Sequence, residues 1–165
     1  MSGTFKDRYG RETRSYVMSR IRGSDTGPEL RLRRALWRAG IRGHRIQTAI
    51  PGRPDVVISR VRLAVFVDGC FWHSCPQCRI RVPVSNRPYW AAKLKRNFER
   101  DRRVRKELRS LGWNVIRIWE HEIRDNLERC TSRLLTAIRK PSPMLAAGSS
   151  STRAGSRRRY GSRQT

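Results

Sequence analysis

Residues 65–78 read Val65-Phe66-Val67-Asp68-Gly69-Cys70-Phe71-Trp72-His73-Ser74-Cys75-Pro76-Gln77-Cys78, and this stretch decides how the chain folds around it. It begins as an apolar, β-branched run, which is typical of a buried strand. It then passes through an acid and a glycine and ends in three cysteines set among two aromatic residues and a histidine. Such a stretch predicts a strand whose end carries a metal-binding loop and titratable side chains.

A second strand is predicted immediately upstream. Pro51-Gly52-Arg53-Pro54-Asp55 has the composition of a turn and leads into an apolar run, and Val61–Asp68 follows as the next run. If these two strands pair, Asp55 and Asp68 lie at the same edge of the sheet, with His73 close to both.

The other elements alternate between helices and strands. Thr26-Gly27-Pro28-Glu29 has the spacing of a capping box with proline in the first turn, so a helix is expected to begin there. This helix should bury Leu32, Leu36 and Trp37. The order of elements predicts an α/β fold with helices flanking a central mixed β-sheet. In chain order we predict a helix over 26–39, strands over 44–50, 55–59 and 61–68, a basic helix over 89–111, a strand over 113–120 and a helix over 126–139.

The chain is strongly basic, with a formal net charge of +25 over 165 residues. Such a charge favours polyanionic partners, and counterion release makes nucleic acid the first candidate. We find neither an apolar run long enough to span a membrane nor an apolar signal segment, so we expect a cytoplasmic protein. We divide the chain into a flexible arm over 1–12, a folded domain over 13–139 and a disordered basic tail over 140–165.

Three of the four cysteines fall within nine residues, at the end of the stretch 65–78. In a cytoplasmic chain such clustering favours metal binding over disulfide formation. Structural zinc takes four nitrogen or sulfur ligands in a tetrahedron, so a fourth ligand is needed, and such a site leaves no open position for chemistry. The predicted Zn²⁺ ligands are Cys70, Cys75 and Cys78 with one of His73, His121 and Cys130, of which Cys130 reads more simply as a buried thiol within a helix.

The acids at the predicted sheet edge suit a second metal. Carboxylates at two neighbouring strand ends, Asp55 and Asp68, offer the hard oxygens that Mg²⁺ prefers, and Mg²⁺ can activate water beside a phosphate. His73 is a candidate general base, and Glu29 is a candidate direct or supporting acid. Structural interpretations stay open: Glu29 would complete the capping box, Asp68 before Gly69 would make a turn, and Asp55 would be a helix cap or a turn acid.

Aromatic residues lie next to this edge. Phe71 and Trp72 belong to the cysteine loop, and Trp90 opens the basic helix. Exposed rings at such a place could wedge between base pairs, most easily where a mismatch has already weakened stacking. The alternative is that the rings close the core over the loop. Likewise, Met18 lies in a short amphipathic segment that is either a helix on the core or a basic arm on DNA.

Taken together, these motifs resemble the very short patch repair (Vsr) endonucleases over roughly residues 12–139. The resemblance implies a restriction-endonuclease-like fold and a Mg²⁺-dependent nick of double-stranded DNA on the 5′ side of the thymine in a T:G mismatch, which arises when 5-methylcytosine deaminates. It implies a monomer that works alongside mismatch-repair factors and a cytosine-5 methyltransferase. The motifs that carry it are Met18 with Ile21, Asp25-Thr26 with Glu29, Pro51–Asp55, Gly69–His73, Tyr89-Trp90, Asn97 with Glu99-Arg100-Asp101, and Gly112-Trp113 with Trp119-Glu120.

The resemblance also implies roles for single residues. Asp55 and the backbone carbonyl of Val67 would bind Mg²⁺. His73 would be the catalytic histidine, supported by Glu29. His121 would be the fourth zinc ligand, which frees His73 for catalysis. The residues that would contact DNA are Met18, Phe71, Trp72 and Trp90, with Lys93, Arg96 and Asn97 on the basic helix.

The sequence departs from the family pattern in several places, one of which is the loop from Cys70 to Cys78, which is one residue longer and rich in cysteine where other members use histidine. Val67-Asp68 stands where a Thr-His pair is expected, and His121 stands where a cysteine is expected. Two other functions therefore stay open: a related restriction-type nuclease of different specificity, and a non-catalytic, zinc-stabilised DNA-binding module. Asp55 separates them, because a nuclease needs this acid and a binding module does not.

Overall fold

The computed structural model describes residues 24–42, 49–84 and 86–140. Predictions about Met18 and the N-terminal arm, about most of the strand over 44–50, and about the tail beyond Lys140 lie outside these residues. Within these ranges, no helix combines the length and the apolar composition needed to cross a bilayer. The elements are α1 (Gly27–Arg38), β1 (Val56–Ile58), a 3-10 turn (Ser59–Val61), β2 (Leu63–Asp68), α2 (Arg87–Ser110), β3 (Asn114–Trp119), α3 (Glu120–Asp125) and α4 (Leu127–Arg139).

The described strands form one mixed sheet in the order β1-β2-β3. β1 runs antiparallel to β2, with Val56 opposite Val65. β2 runs parallel to β3, from Leu63 opposite Asn114 to Asp68 opposite Trp119. Parallel strands need a crossover connection, and α2 lies in the segment that joins them. The predicted mixed sheet flanked by helices is confirmed.

The register divides the strand residues between two faces of the sheet, because side chains alternate along each strand. One face is apolar and packs against α1, α3 and α4, where it forms the core. The opposite face carries Phe66, Asp68 and Arg117 and, with α2, borders an open cleft. The hydrophobic core therefore lies on one face of the sheet and the charged residues of the cleft lie on the other. The core residues are Leu32, Leu36, Ile41, Val56, Ile58, Leu63, Val65, Ile118, Ile123, Cys130, Leu134 and Ile138.

Helix α1 follows the prediction except at one residue. Leu32 and Leu36 are fully buried, as expected for positions four residues apart on one face. Trp37 was predicted to be buried, and this is wrong, because its side chain is 55% exposed. It lies one position round the helix from Leu36, on the solvent side, where the Arg42 guanidinium stacks 5.1 Å from its ring centroid.

A tight turn positions the start of β1 against α2. The Arg53 N–H donates to the Ile50 carbonyl at 3.1 Å, with Pro51 and Gly52 at the turn's centre and Gly52 at φ +77°. Proline followed by a glycine of positive φ is the composition of a type II turn. A Cβ on Gly52 would lie 2.3 Å from Cγ1 of Val104, so the close approach of the turn to α2 requires glycine.

The C-terminal segment contains two helices where one, over 126–139, was predicted. α3 begins directly after β3, and the Glu122 carboxylate accepts a 2.7 Å hydrogen bond from the Trp119 N–H. Asn126 ends α3 and caps α4 by accepting from the Arg129 N–H at 2.8 Å. The six-residue α3 is too short to show a recognisable period, yet it brings His121 to the end of the parallel strands.

Candidate active site and metal cluster

The paired strands bring the predicted edge residues together. The Asp55 N–H donates to the Val65 carbonyl at 2.9 Å, which extends the β1–β2 ladder by one residue. The Asp55 Oδ2 accepts the Val67 N–H at 2.7 Å. A cleft of about 530 Å³ opens at this edge, and both Asp68 and His73 line it together with Asp55. This is the meeting of three residues that the strand pairing predicts.

Asp55 lies where a cation would be stabilised. Burial raises the pKa of Asp55 to about 6; the Val67 N–H opposes this shift, Glu29 and Asp68 add to it, and Arg33 opposes it. The other carboxylate oxygen makes no hydrogen bond with the described residues. A desolvated carboxylate among further acids, next to the backbone carbonyl of Val67, is a donor set of hard oxygens that fits Mg²⁺.

His73 is held by a carboxylate from α2. Its Nδ1 lies 2.5 Å from Oδ2 of Asp101. Burial acts to raise the pKa of Asp101, but hydrogen bonds from His73 and Arg117 outweigh it and hold the pKa at about 2. An ionised carboxylate only accepts hydrogen bonds, so Nδ1 of His73, which faces it, carries a proton, and in the neutral imidazole the lone pair is then on Nε2. Such an imidazole at the cleft is suited to act as a general base.

Arg117 of β3 joins two acids at the floor of the cleft. Its Nη2 donates to Oδ1 of Asp68 at 2.6 Å, and its Nε donates to Oδ2 of Asp68. The same Nη2 donates to Oδ2 of Asp101 at 2.9 Å. Burial acts to lower the pKa of Arg117, but its two carboxylate partners raise it.

This pairing changes the interpretation of Asp68. The sequence suggested a catalytic acid and a carboxylate available to Mg²⁺. In the structure Asp68 is only 2% exposed, and both of its oxygens accept hydrogen bonds from Arg117. A carboxylate engaged in this bidentate way is a structural partner of the arginine rather than a free ligand.

Glu29 is buried, but its hydrogen bonds do not reach His73. Its Oε1 accepts from the Thr26 hydroxyl at 2.7 Å, and its Oε2 accepts from the Asp25 N–H at 2.9 Å, so Glu29 binds the residues before α1 without forming the two bonds of a capping box. The acid at hydrogen-bond distance from His73 is Asp101, and Oδ1 of Asp68 lies further from the ring, at 3.8 Å from Nδ1. The link between Glu29 and the site is the charge that it adds near Asp55. Support of His73 by Glu29 thus stays a prediction without a contact.

Three cysteines and a histidine converge beyond the cleft. The ligand atoms of Cys70, Cys75, Cys78 and His121 all lie within 4.8 Å of one another. The His121 Nδ1 lies 3.2, 3.7 and 3.4 Å from the three sulfur atoms in that order. A tetrahedral zinc with Zn–S near 2.3 Å and Zn–N near 2.0–2.1 Å would separate N and S by about 3.6 Å. The donor set and its spacing therefore fit zinc.

Of the three candidates for the fourth ligand, His121 is the one that lies beside the three cysteines. His121 is the member of the cluster, whereas His73 contacts Asp101 and Cys130 lies buried in α4. The His121 Nε2 lies 2.7 Å from Oε1 of Gln77, which fixes the ring with Nδ1 toward the sulfur atoms. Burial raises the pKa of the Cys70 thiol to about 12 in the absence of a cation, so a divalent ion would supply the charge that thiolates need.

The aromatic residues form a cluster of their own. The Phe71 ring centroid lies 5.1 Å from that of Trp72 and 5.5 Å from that of Trp90, and Lys93 Nζ lies 5.1 Å from the Trp72 centroid. Trp90 is only 6% exposed, so in the free protein these rings pack on one another over the loop. The Asn97 amide donates to the Trp72 carbonyl at 3.0 Å and so supports the cluster, whereas Arg96 is exposed.

Two site residues, Asp101 and Arg117, were not among the candidates derived from the sequence. Asp101 entered only as part of a motif of the family resemblance. A signal was present for each: Asp101 is an acid within a strongly basic helix, and Arg117 is a charged residue between apolar neighbours of a strand.

The chain is similar to a family model and to several known proteins. Residues 6–79 match the family model described as DNA mismatch endonuclease Vsr. The chain is 39% identical over 131 residues to DNA mismatch endonuclease Vsr of Escherichia coli strain K12, covering 79% of this chain and 83% of that protein. It is 46% identical over 114 residues to the type II nicking enzyme V.NaeI of Lentzea aerocolonigenes, covering 66% and 68%.

A second nicking enzyme shows similar coverage. The chain is 35% identical over 134 residues to the type II nicking enzyme V.NmeDIP of Neisseria meningitidis serogroup C, covering 81% of this chain and 90% of that protein. The family match ends at Arg79, so it contains Asp55, His73 and the three cysteines of the cluster.

Proposed function

The chain belongs to the Vsr family of DNA mismatch endonucleases, and we propose from this premise that it nicks double-stranded DNA on the 5′ side of the thymine in a T:G mismatch. That it is a DNA endonuclease of the nicking type follows from the family itself. The observation that carries the chemistry is the arrangement of one cleft, where the His73–Asp101 pair shares the lining with the carboxylate of Asp55.

The metal requirement is part of this proposal. Asp55 and the Val67 carbonyl would hold Mg²⁺, which when bound neutralises charge on the scissile phosphate and makes a water molecule a stronger acid. His73 takes the proton of the attacking water at Nε2. Asp101 keeps the ring in the required tautomer and stabilises the imidazolium that forms.

The cleft also offers groups that would bind the DNA backbone. Arg53, Arg100 and Arg105 line it, in a protein of net charge +25. The Nε of Arg105 is buried without a hydrogen-bond partner among the described residues. Guanidinium groups in such a position suit the oxygens of a phosphate.

Recognition of the mismatch would fall to the aromatic cluster. A mismatched pair stacks weakly, so it lowers the energy needed to insert a side chain. Phe71 and Trp72 are the half-exposed members, whereas Trp90 would have to leave its buried position to intercalate. Trp72 is therefore the first ring to test.

The zinc cluster has a structural role in this proposal. Cys70, Cys75, Cys78 and His121 would supply four protein ligands to Zn²⁺, which leaves no position for water. The metal would fix the loop that carries His73, which lies between Cys70 and Cys75 in the sequence.

We expect the enzyme to act as a monomer in the cytoplasm, at the nucleoid. Its substrate arises from 5-methylcytosine, so a cytosine-5 methyltransferase and other mismatch-repair factors would work in the same pathway. Size-exclusion chromatography with light scattering checks the monomer directly.

The test is nicking of a duplex with one T:G mismatch, in the presence of Mg²⁺, compared with the matched duplex. We expect a single nick 5′ of the thymine, lost in Asp55→Asn and kept in Asp125→Asn, which makes the same change at an exposed acid of α3. Equal cutting of both duplexes would contradict the mismatch specificity and favour a related nuclease of different specificity. Tight binding with no cutting, whatever bases flank the mismatch, would leave the DNA-binding module.

A further inference from the structure

Four titratable side chains form a connected line beneath the cleft: Asp68, Arg117, Asp101 and His73. Asp68 and Arg117 come from neighbouring strands, Asp101 from α2 and His73 from the loop after β2. Each neighbouring pair in this line lies at hydrogen-bond distance, and the line ends with Oδ2 of Asp101 at 2.5 Å from Nδ1 of His73. The line therefore connects the sheet to the histidine through one helix.

The sheet register explains how Arg117 reaches both acids. Arg117 pairs with Phe66 across the parallel ladder, so its side chain lies on the same face as that of Asp68, two residues further along β2. Asp68 takes the fork of the guanidinium at two points, and this fixes the plane of the group. The remaining direction of Nη2 leads to Oδ2 of Asp101 at 2.9 Å.

Arg117 and His73 contact the same carboxylate oxygen of Asp101. Oδ2 of Asp101 accepts from Arg117 and lies against Nδ1 of His73. Arg117 Nη2 is itself 3.1 Å from that nitrogen. A guanidinium can only donate, so its presence beside Nδ1 leaves Asp101 as the acceptor for the imidazole proton. Rotation of Asp101 away from His73 would break the bond to Arg117 as well.

We propose that Arg117 is a positioning residue for His73: anchored by Asp68, its guanidinium holds Asp101 in the one orientation that keeps Nε2 of His73 free in the cleft. Asp68 is then the anchor of the arginine and not a ligand of the catalytic metal. This inference rests on the proposed function, since it assigns a role within the same site. A direct contact of Arg117 with DNA is disfavoured because Asp68 and Asp101 already occupy its Nε and Nη2.

The first experiment separates chemistry from binding. Single-turnover nicking of the T:G duplex and the Kd for that duplex are measured for Arg117→Gln and Arg117→Lys. We expect the nicking rate constant to fall roughly 10- to 100-fold in Arg117→Gln while Kd changes less than about twofold, since only the orientation of His73 is lost. Lysine keeps the charge but lacks the planar fork, so we expect it to restore little.

Two controls accompany these variants. Arg60→Gln removes an arginine from the turn between β1 and β2, at the opposite end of the sheet from the cleft, and should leave rate and Kd unchanged. The double variant Asp68→Asn/Arg117→Gln removes both charges, so it leaves no buried carboxylate unpaired and guards against loss of the fold. It should nick as slowly as Arg117→Gln.

A double-mutant cycle tests whether Arg117 acts through Asp101. We expect Asp101→Asn/Arg117→Gln to be no slower than Asp101→Asn alone, because the second change removes support from a group already lost. Multiplied effects, an unchanged rate in Arg117→Gln, or a loss confined to Kd would each overturn the proposal.

A spectroscopic measurement needs no substrate, so it separates this inference from the proposed function. The chain has three histidines, at 44, 73 and 121. In ¹⁵N-histidine spectra of the zinc-loaded protein we expect His73 to show the Nδ1–H form in the wild type and a mixture of tautomers in Arg117→Gln. Identical spectra of the wild type and Arg117→Gln would overturn the positioning role of Arg117, whatever the nicking activity. A wild type that nicks no T:G duplex would overturn the proposed function and leave the spectroscopic result to be judged by itself.

Discussion

Asp55 shows, at the scale of one residue, how a functional group is kept at the expense of stability. It is the acid of the cleft whose charged form is disfavoured, with a pKa raised to about 6 by burial first of all. Between the ordinary aspartate pKa of 3.8 and pH 6, Asp55 binds more protons in the folded protein than in the unfolded chain. The contribution of Asp55 to the free energy of unfolding is therefore fully present below about pH 4 and is lost as the pH rises through 6.

Asp55→Asn should stabilise the magnesium-free protein while it abolishes nicking. The amide keeps an acceptor for the Val67 N–H and removes the charge, so we expect a gain of roughly 2–3 kcal/mol at pH 8 and a smaller gain at pH 5. Urea unfolding at the two pH values, with zinc retained, measures it. A variant less stable than the wild type at pH 8 would contradict the electrostatic account, and Asp125→Asn should show neither effect.

The position of His73 beside the two acids was predictable from the sequence, and the residues that contact its ring were not. His73 and the three cysteines lie in one short stretch, so their chemistry is visible in a local motif. Asp101 and Arg117 lie 28 and 44 positions further along the chain from His73. Their role depends on the register of β3 and the docking of α2, which no local pattern encodes.

At the scale of elements, the turn before β1 and the helix α2 set the shape of the cleft together. Gly52 lets the turn approach Val104, and both residues line the cleft. Strand pairing was predictable here because apolar runs and turn residues alternate clearly. The bounds of α3 were not, because a six-residue helix that follows a strand without a loop has no pattern of its own.

Gly52→Ala should destabilise the protein more than Gly40→Ala does. Both glycines have positive φ, at +77° and +79°, but a Cβ at Gly40 meets nothing within 4 Å whereas one at Gly52 clashes with Val104. We expect about 1 kcal/mol for the backbone alone and a further 1–3 kcal/mol for the overlap. Denaturant unfolding measures the difference, and adding Val104→Ala to Gly52→Ala should reduce it. Equal effects of the two alanines would show that the turn can move away.

His121→Ala should release zinc and loosen the loop that carries His73. The cluster joins the loop after β2 to α3, so without the metal these two segments lose their link. We expect zinc content to fall and the free energy of unfolding to drop by at least about 3 kcal/mol. Elemental analysis and denaturant unfolding check both. Cys130→Ser changes the one cysteine outside the cluster and should keep its zinc; a zinc-loaded His121→Ala would contradict the ligand assignment.

At the scale of the whole molecule, one face of the sheet holds the core and the other holds the cleft with its acids. The acids lie in a protein of net charge +25, so the charge that would attract DNA and the carboxylates proposed for catalysis have opposite signs. The basic charge was visible in the composition. Its placement around the cleft follows only from the fold.

Arg105→Gln should weaken binding to matched and mismatched duplexes alike. Arg105 lines the cleft, and its Nε has no hydrogen-bond partner among the described residues, so this group is available for a phosphate oxygen. We expect the slope of log K against log salt concentration to fall by about one, whereas Trp72→Ala should weaken only the mismatched complex. Fluorescence anisotropy at several salt concentrations measures both. An unchanged slope would remove Arg105 from the interface, and Arg60→Gln serves as the distal control.

The parallel pairing of β2 with β3 also sets the order in which the residues of the cleft can come together during synthesis of the chain. Asp55 and His73 leave the ribosome early, but Asp101, Arg117 and His121 follow only after the crossover through α2. A nascent chain that ends before residue 121 carries the acid, the histidine and the cysteines without the partners that arrange them. We therefore expect a nascent chain to acquire nicking activity only after β3 has emerged and paired with β2.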